Sequence, residues 1–276
     1  MKELIKAGGD RVFFLFKQAG FFPGRGIRIL MYHSTPAQPV SREKLHLSVS
    51  EKSLRIQLEV IQEEGYRVIG LEDAIRILKE DKEPDKNYLV LTFDDFFENN
   101  FYVALPLLEK FGLKAVFFPA VSHLDEPGFF PWVQNPEPYG RPGTRQMIRE
   151  IFSLGHEIGS HTCSHPVLAD LKEDELREEL LKSKTILEDL IGAPVKLFSY
   201  PYGHLKSFNP GVKEKLRDLG YICGLTTLEG ANHYSTDPFS LKRTAIADQD
   251  TKEIFSKKLQ GVRDWFFLRQ LIQGIL

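Results

Sequence analysis

The sequence predicts one barrel-like α/β domain, and three observations predict it. Short β-rich runs alternate with helical patterns, as in repeated βα units. Two of the apolar runs end in acid or histidine clusters, Thr92-Phe93-Asp94-Asp95 and His161-Thr162-Cys163-Ser164-His165. Barrels and open α/β sheets carry their chemistry at such strand ends. No fixed-period repeat and no linker divides the 276 residues, a length that suits one large domain.

Taken in order, the chain opens on a basic, aromatic segment over residues 1–26. There Val12-Phe13-Phe14-Leu15-Phe16 and Phe21-Phe22 stand among Lys2, Lys6, Arg11 and Lys17. That run falls short of the ~20 apolar residues a membrane span needs, and it carries no small-residue cleavage site. Strands are expected at Ile27–His33, Tyr66–Ile69, Tyr88–Asp94, Ala115–Val121, Glu157–His161, Val195–Tyr200, Tyr221–Thr226 and Leu241–Ala245. Between them, Leu54, Leu58 and Ile61 mark a helix ended by Gly65. Leu176, Leu180, Leu187 and Leu190 mark another, stopped by Gly192 and Pro194. Residues 123–143 break the rhythm with five prolines. That stretch is too long for an ordinary βα loop and suggests a substrate-binding wall. Residues 27–250 are therefore expected to form the barrel-like domain and 251–276 an amphipathic tail. Its Trp265-Phe266-Phe267-Leu268 lies near Lys257, Lys258, Arg263 and Arg269. Two aromatic, basic ends would suit peripheral contact with a membrane interface; packing on the barrel or on a second subunit are the alternatives.

Composition narrows the function classes. At 42% hydrophobic and 27% charged residues, the chain has an ordinary globular balance rather than a disordered one. A net charge of -2 with no basic stripe argues against nucleic acid as a partner. The two cysteines, Cys163 and Cys223, form no CxxC pair and no disulfide framework. Reduced thiols fit a cytoplasmic location, with any membrane association left to the termini.

The two clusters supply the chemistry. Asp95 could cap a helix starting at Phe96, with Glu98 completing a capping box. Yet adjacent carboxylates repel unless a cation or hydrogen bonds relieve them. A divalent metal would do so, one carboxylate ligating while its neighbour stays free as a base. His161 and His165, four positions apart, can reach one ion, and an Asp with two His makes an open three-ligand site. His156, on the opposite face of a regular strand, and Cys163 read as packing residues. A metal so held makes its water far more acidic, so the pattern reads as a metal-assisted hydrolase.

At these residues a family resemblance appears. With Ser199-Tyr200-Pro201-Tyr202-Gly203, the two clusters resemble, in order and spacing, the first three motifs of the polysaccharide deacetylases, carbohydrate esterase family 4. Leu30-Met31-Tyr32-His33-Ser34 resembles the first strand of a subgroup acting on poly-N-acetylglucosamine. The likeness runs from about Ile27 to Ala245. It implies a distorted, TIM-barrel-like (β/α) barrel of about seven strands. The activity it implies is metal-dependent hydrolysis of N-acetyl groups on an N-acetylhexosamine-containing glycan or glycan precursor. Asp94 would be the catalytic base; Asp95, His161 and His165 would ligate a divalent metal, Zn²⁺ before others. The Tyr202 N–H would help hold the oxyanion, and Pro201, Tyr202 and His33 would contact the sugar.

The chain departs from the family pattern in three places. Ser199 stands where the family has an arginine beside the base, and Arg243, ending a late strand, is expected to replace it. No histidine follows His233 to act as the family's late acid, which leaves His33, His204 and His233 as candidates. Phe96 stands where a glycine is common. Two further readings therefore stay open: a glycan-binding relative that has lost turnover, and an iron oxygenase, whose sites also use two His and one carboxylate.

Overall fold

A computed structural model of the chain describes residues 26–40, 48–80, 82–262, 264, 266, 267 and 270. Of the candidates for membrane contact, residues 1–25 and Trp265 and Leu268 of the tail lie outside the described residues, whereas the Phe267 ring packs under Lys242 at 4.4 Å. Among those described, no helix is long and apolar enough to cross a membrane.

Parallel strands form the frame. β1 (Arg28–Tyr32) leads to α1 (Glu51–Glu63), β2 (Arg67–Val68), α2 (Leu71–Leu78), β3 (Tyr88–Asp95), α3 (Leu105–Phe111) and β4 (Val116–Pro119). Then follow α4 (Arg145–Ser153), β5 (Glu157–Ile158), α5 (Glu173–Ile191), α6 (Pro210–Asp218), β6 (Leu225–Glu229), β7 (Leu241–Ala245) and α7 (Lys252–Leu259). Every ladder is parallel, in the order β5-β4-β3-β1-β7-β6, with β2 on the edge of β3 that β4 also uses. The sheet stays open between β5 and β6. Two single parallel bridges, Ser160 to Phe198 and Ser199 to Leu225, span that gap. This is the distorted barrel that the resemblance implied.

Two expected strands change. Residues 195–200 contribute only those bridges. The strand expected from Tyr221 begins at Leu225, because Ile222 N–H bonds to Lys196 O and Gly224 N–H to Pro238 O. Nearby donors serve different neighbours, so no ladder forms before Leu225.

Strand alternation sorts side chains between two cores. Ile29, Val90, Val116, Phe118, Leu197, Leu225 and Leu241 join one cluster with α2, although they come from all round the sheet. Only a curled sheet allows that. Leu30, Tyr32, Leu91, Phe93 and Phe117 face the other way, and α7 adds Phe255 and Leu259 there. In register, Phe93 opposes both Tyr32 and Phe117, so the rings stack at 5.1 and 5.0 Å.

Beyond β3 the chain turns sharply, with left-handed φ of 65° at Asp95 and 71° at Phe96. The expected capping box is absent. Instead the Phe97 N–H donates to Asn100 Oδ1 at 3.0 Å, and Glu98 Oε1 accepts from the Arg141 N–H at 3.3 Å. Phe96 stands in for glycine at a strain of about 1–2 kcal/mol. Complete burial of its ring offsets that by roughly 2–3 kcal/mol. Gly143 makes the room, since a Cβ there would sit 2.3 Å from the Phe96 ring. Gly143→Ala is therefore expected to lower unfolding free energy by about 1–3 kcal/mol in a denaturant melt, and adding Phe96→Leu to recover part of it. Undiminished stability of Gly143→Ala would refute this account.

Candidate metal centre and active site

The ends of the strands converge on one buried point. Thr92 and Asp94 continue the inner face of Val90, and Arg243 continues that of Leu241 on β7. Their tips meet. Arg243 Nη1 donates to Asp94 Oδ1 at 2.9 Å and to Thr92 Oγ1 at 3.4 Å, while Nε donates to the Thr226 carbonyl at 2.8 Å. Nη2 lies 2.7 Å from Asp94 Oδ2, an ion-pair contact without hydrogen-bond alignment. Ser199 Oγ donates to the same oxygen at 3.3 Å. Burial works to raise the Asp94 carboxyl, but the Arg243 guanidinium, with His161 and His33, holds it well below the usual carboxylate range. Asp94 is charged and aimed.

Beside it, His161 Nε2 and His165 Nε2 lie 3.5 and 3.6 Å from one oxygen, Asp95 Oδ1. One ligand atom from each of the three falls within 4.8 Å of the others. A carbonyl only accepts, so the 2.7 Å contact between His161 Nδ1 and Ser199 O puts the proton on Nδ1 and leaves Nε2 bare. Burial lowers both rings, His165 to about 2 with help from neighbouring His161. Asp95 Oδ1 is buried with no hydrogen-bond partner among the described residues. Burial, then the Asp94 charge, pushes this carboxyl up to about 8. A buried carboxylate oxygen facing the bare His161 Nε2 and the His165 Nε2 lacks a positive charge, and a divalent cation fits there.

The backbone at the cluster is strained. Of the seven non-glycine residues with left-handed φ among those described, five are Asp95, Phe96, Thr162, His165 and Tyr202. Such conformations cost ~1–3 kcal/mol each and gather at functional sites.

The other expected residues divide. Pro201 is buried, and the exposed Tyr202 ring lies 4.8 Å from the His165 ring. The Tyr202 N–H has no acceptor among the described residues. The Tyr32–Phe93 register sets His33 alongside Asp94, and burial pushes its imidazole down to about 4. Of the remaining candidate acids, the His204 ring lies 6.4 Å from Tyr202 on the rim. His233 packs at the far end, against Gly26 ahead of β1. His156 contacts the Ala115 N–H and Glu109, and the Cys163 thiol is buried in the outer core. Two residues, Trp132 and Glu179, escaped the sequence reading, and a third, Ser199, was read only as standing where the family has an arginine. Trp132, from the proline-rich loop, stacks on His165 at 4.0 Å and 16°, which makes that loop a wall of the site. Ser199 touches both Asp94 and His161, and Glu179 binds the loop between the histidines. A parallel-stacked indole and a helix glutamate carry no local pattern; proline density was the signal for Trp132, and the third motif the signal for Ser199.

Fold and cluster together define a (β/α)-barrel protein with an Asp-His-His site beside an arginine-held carboxylate. The chain belongs to the polysaccharide deacetylase family, whose sequence profile matches residues 81–224, just over half its length. It is 24% identical over 235 residues to YxkH of Bacillus subtilis (strain 168), named for the same family, across 85% of this chain and 76% of that one. With the poly-beta-1,6-N-acetyl-D-glucosamine N-deacetylase of Escherichia coli K12 it shares 23% identity, across 88% of this chain but 40% of that relative. Among solved structures it is similar to the Streptococcus pyogenes deacetylase PplD in complex with acetate. The TM-score is 0.74 at 25% identity, over 86% of this chain and 99% of that one.

Proposed function

We propose that the chain is a divalent-metal-dependent N-deacetylase that releases acetate from N-acetylhexosamine units of a glycan or glycan precursor. One observation carries the reading: a carboxylate clamped by Arg243 stands beside an unpartnered Asp95 oxygen that the Nε2 atoms of His161 and His165 also face. Asp95, His161 and His165 would hold the ion, and their two-nitrogen, one-oxygen donor set favours Zn²⁺. Bound there, the ion would polarise an acyl carbonyl and acidify a water. Asp94, kept anionic, accepts that water's proton. The Tyr202 N–H is available to the developing oxyanion, and one such donor is worth about 3 kcal/mol. Among the candidate acids His33 alone borders Asp94; neutral at pH 7, it can pass the proton Asp94 has taken to the leaving nitrogen. Trp132 and Tyr202, flanking His165, offer aromatic faces to a sugar ring. The E. coli relative, named for poly-N-acetylglucosamine, supports that substrate class.

The test is acetate release from β-linked N-acetylglucosamine oligomers by protein loaded with Zn²⁺ or Co²⁺. Release should stop on chelation and resume when metal returns. Oligomer binding without acetate release, by metal-loaded protein, would instead identify the relative without turnover that the absent late histidine suggests.

A second measurement probes the base. In Arg243→Met the Asp94 carboxyl loses the charge that depresses it, so it takes up its proton at higher pH. The acidic limb of kcat/KM is then expected to move upward, with a loss of about tenfold or more near pH 6 and less near pH 9. An acidic limb that stays put would separate Arg243 from the reacting carboxylate.

A further inference from the structure

We infer that Glu179 is a positioning residue that sets the bite of the two histidines on the ion, acting through the backbone between them. This rests on reading the Asp95–His161–His165 cluster as a cation site. Three residues join His161 to His165 through a turn with left-handed φ at Thr162 (68°) and at His165 itself (62°). Left alone, such a turn relaxes, and the rings separate. Glu179 prevents it from α5. Its Oε2 accepts from the Cys163 N–H at 2.9 Å and the Ser164 N–H at 3.0 Å, and its Oε1 accepts from Ser164 Oγ at 2.7 Å.

One turn along the same helix face, Ser183 Oγ meets Ser160 Oγ at 2.7 Å, and Ser160 Oγ in turn accepts from the Thr162 N–H at 3.2 Å. Thus α5 grips the histidine loop on both sides, at Ser160 with a hydroxyl and at Cys163–Ser164 with a carboxylate. Inside the turn, Thr162 Oγ1 accepts from the His165 N–H at 3.0 Å. Charged acceptors make the stronger bonds, so Glu179 is the dominant restraint. It touches none of the three ligand side chains. Its role is to keep both Nε2 atoms aimed at Asp95 Oδ1, as outer residues of metal sites do.

The experiment is Co²⁺ titration of the full chain, read by competition with a chelating dye and by Co²⁺ absorption, for wild type, Glu179→Ala, Glu179→Gln and Ser164→Ala. Glu179→Ala is expected to bind Co²⁺ about 10- to 100-fold more weakly, with an altered Co²⁺ spectrum. The thermal midpoint of its metal-free form should barely move. Glu179→Gln keeps one carbonyl acceptor and should fall between Glu179→Ala and wild type. Unchanged affinity in Glu179→Ala, or a lowered metal-free midpoint with unchanged affinity, overturns the inference. Should Glu179→Ala fail to fold, Glu179→Gln and Ser164→Ala decide: about threefold weaker binding or more supports it, and wild-type affinity in both overturns it. A wild-type chain that takes up no Co²⁺ overturns the site reading itself, and this inference with it.

Discussion

Asp95→Asn is expected to abolish tight uptake of a divalent cation and to lower acetate release by about 10²-fold or more, while making the metal-free protein more stable. The opposite signs follow from one atom. In the metal-free chain Asp95 Oδ1 is buried, has no hydrogen-bond partner among the described residues, and sits beside the charged Asp94. Burying an unsatisfied group of this kind costs about 1–3 kcal/mol, which the neutral amide relieves. The pH dependence has a definite sign. Burial raises the folded-state carboxyl from its ordinary value to about 8. The folded state therefore holds that proton more tightly, and the contribution of Asp95 to the stability of the metal-free protein is lost as pH rises from ~4 towards ~8. That slope should vanish in Asp95→Asn. Thermal melts at pH 8, with chelator and with Zn²⁺, check both halves. If Asp95→Asn is less stable than wild type in chelator, the carboxylate is a structural acceptor and its assignment as a ligand fails.

Asp94→Asn should reduce kcat by about 10²- to 10⁴-fold while leaving Zn²⁺ affinity within a few-fold of wild type. The amide keeps the shape and loses the basic lone pair. It also strands the Arg243 guanidinium, which is buried and aligned on this carboxylate. Leaving a buried charge unpaired costs about 3–5 kcal/mol, so the variant should melt early. Activity loss and instability are separable with Asp94→Asn/Arg243→Met. That pair removes both charges and should regain much of the stability, yet remain inactive. A double variant that regains activity, or an Asp94→Asn protein with near wild-type kcat, would assign proton abstraction to another group.

Much of the site was legible because its residue types are the chemistry. A carboxylate pair closing one apolar run and two histidines closing another are the residue types that a cation site with a spare base would need. The strand positions were legible where apolar alternation is unbroken, as in β1 and β3, and misread where pairing is carried by single bridges. At 195–200 the pattern is that of a strand, but the neighbours switch from residue to residue. The capping role weighed for Asp95 fell to the same limitation. Spacing alone cannot tell that the backbone turns left-handed at Asp95 and Phe96 and that Gly143 opens the space for it.

By itself, then, the sequence determined the chemical kinds present and their places at strand ends, since both follow from side-chain identity and local hydrophobic period. Tertiary structure alone decided which of those groups act on one another. Arg243 reaches Asp94 across 149 positions of chain because β1 separates β3 from β7 and both strands turn the same face inward. Glu179, Ser199 and Trp132 came to the site in the same way, through register and barrel curvature. Contacts of that kind depend on how distant strands and loops close upon one another, and no short window of residues encodes that closure.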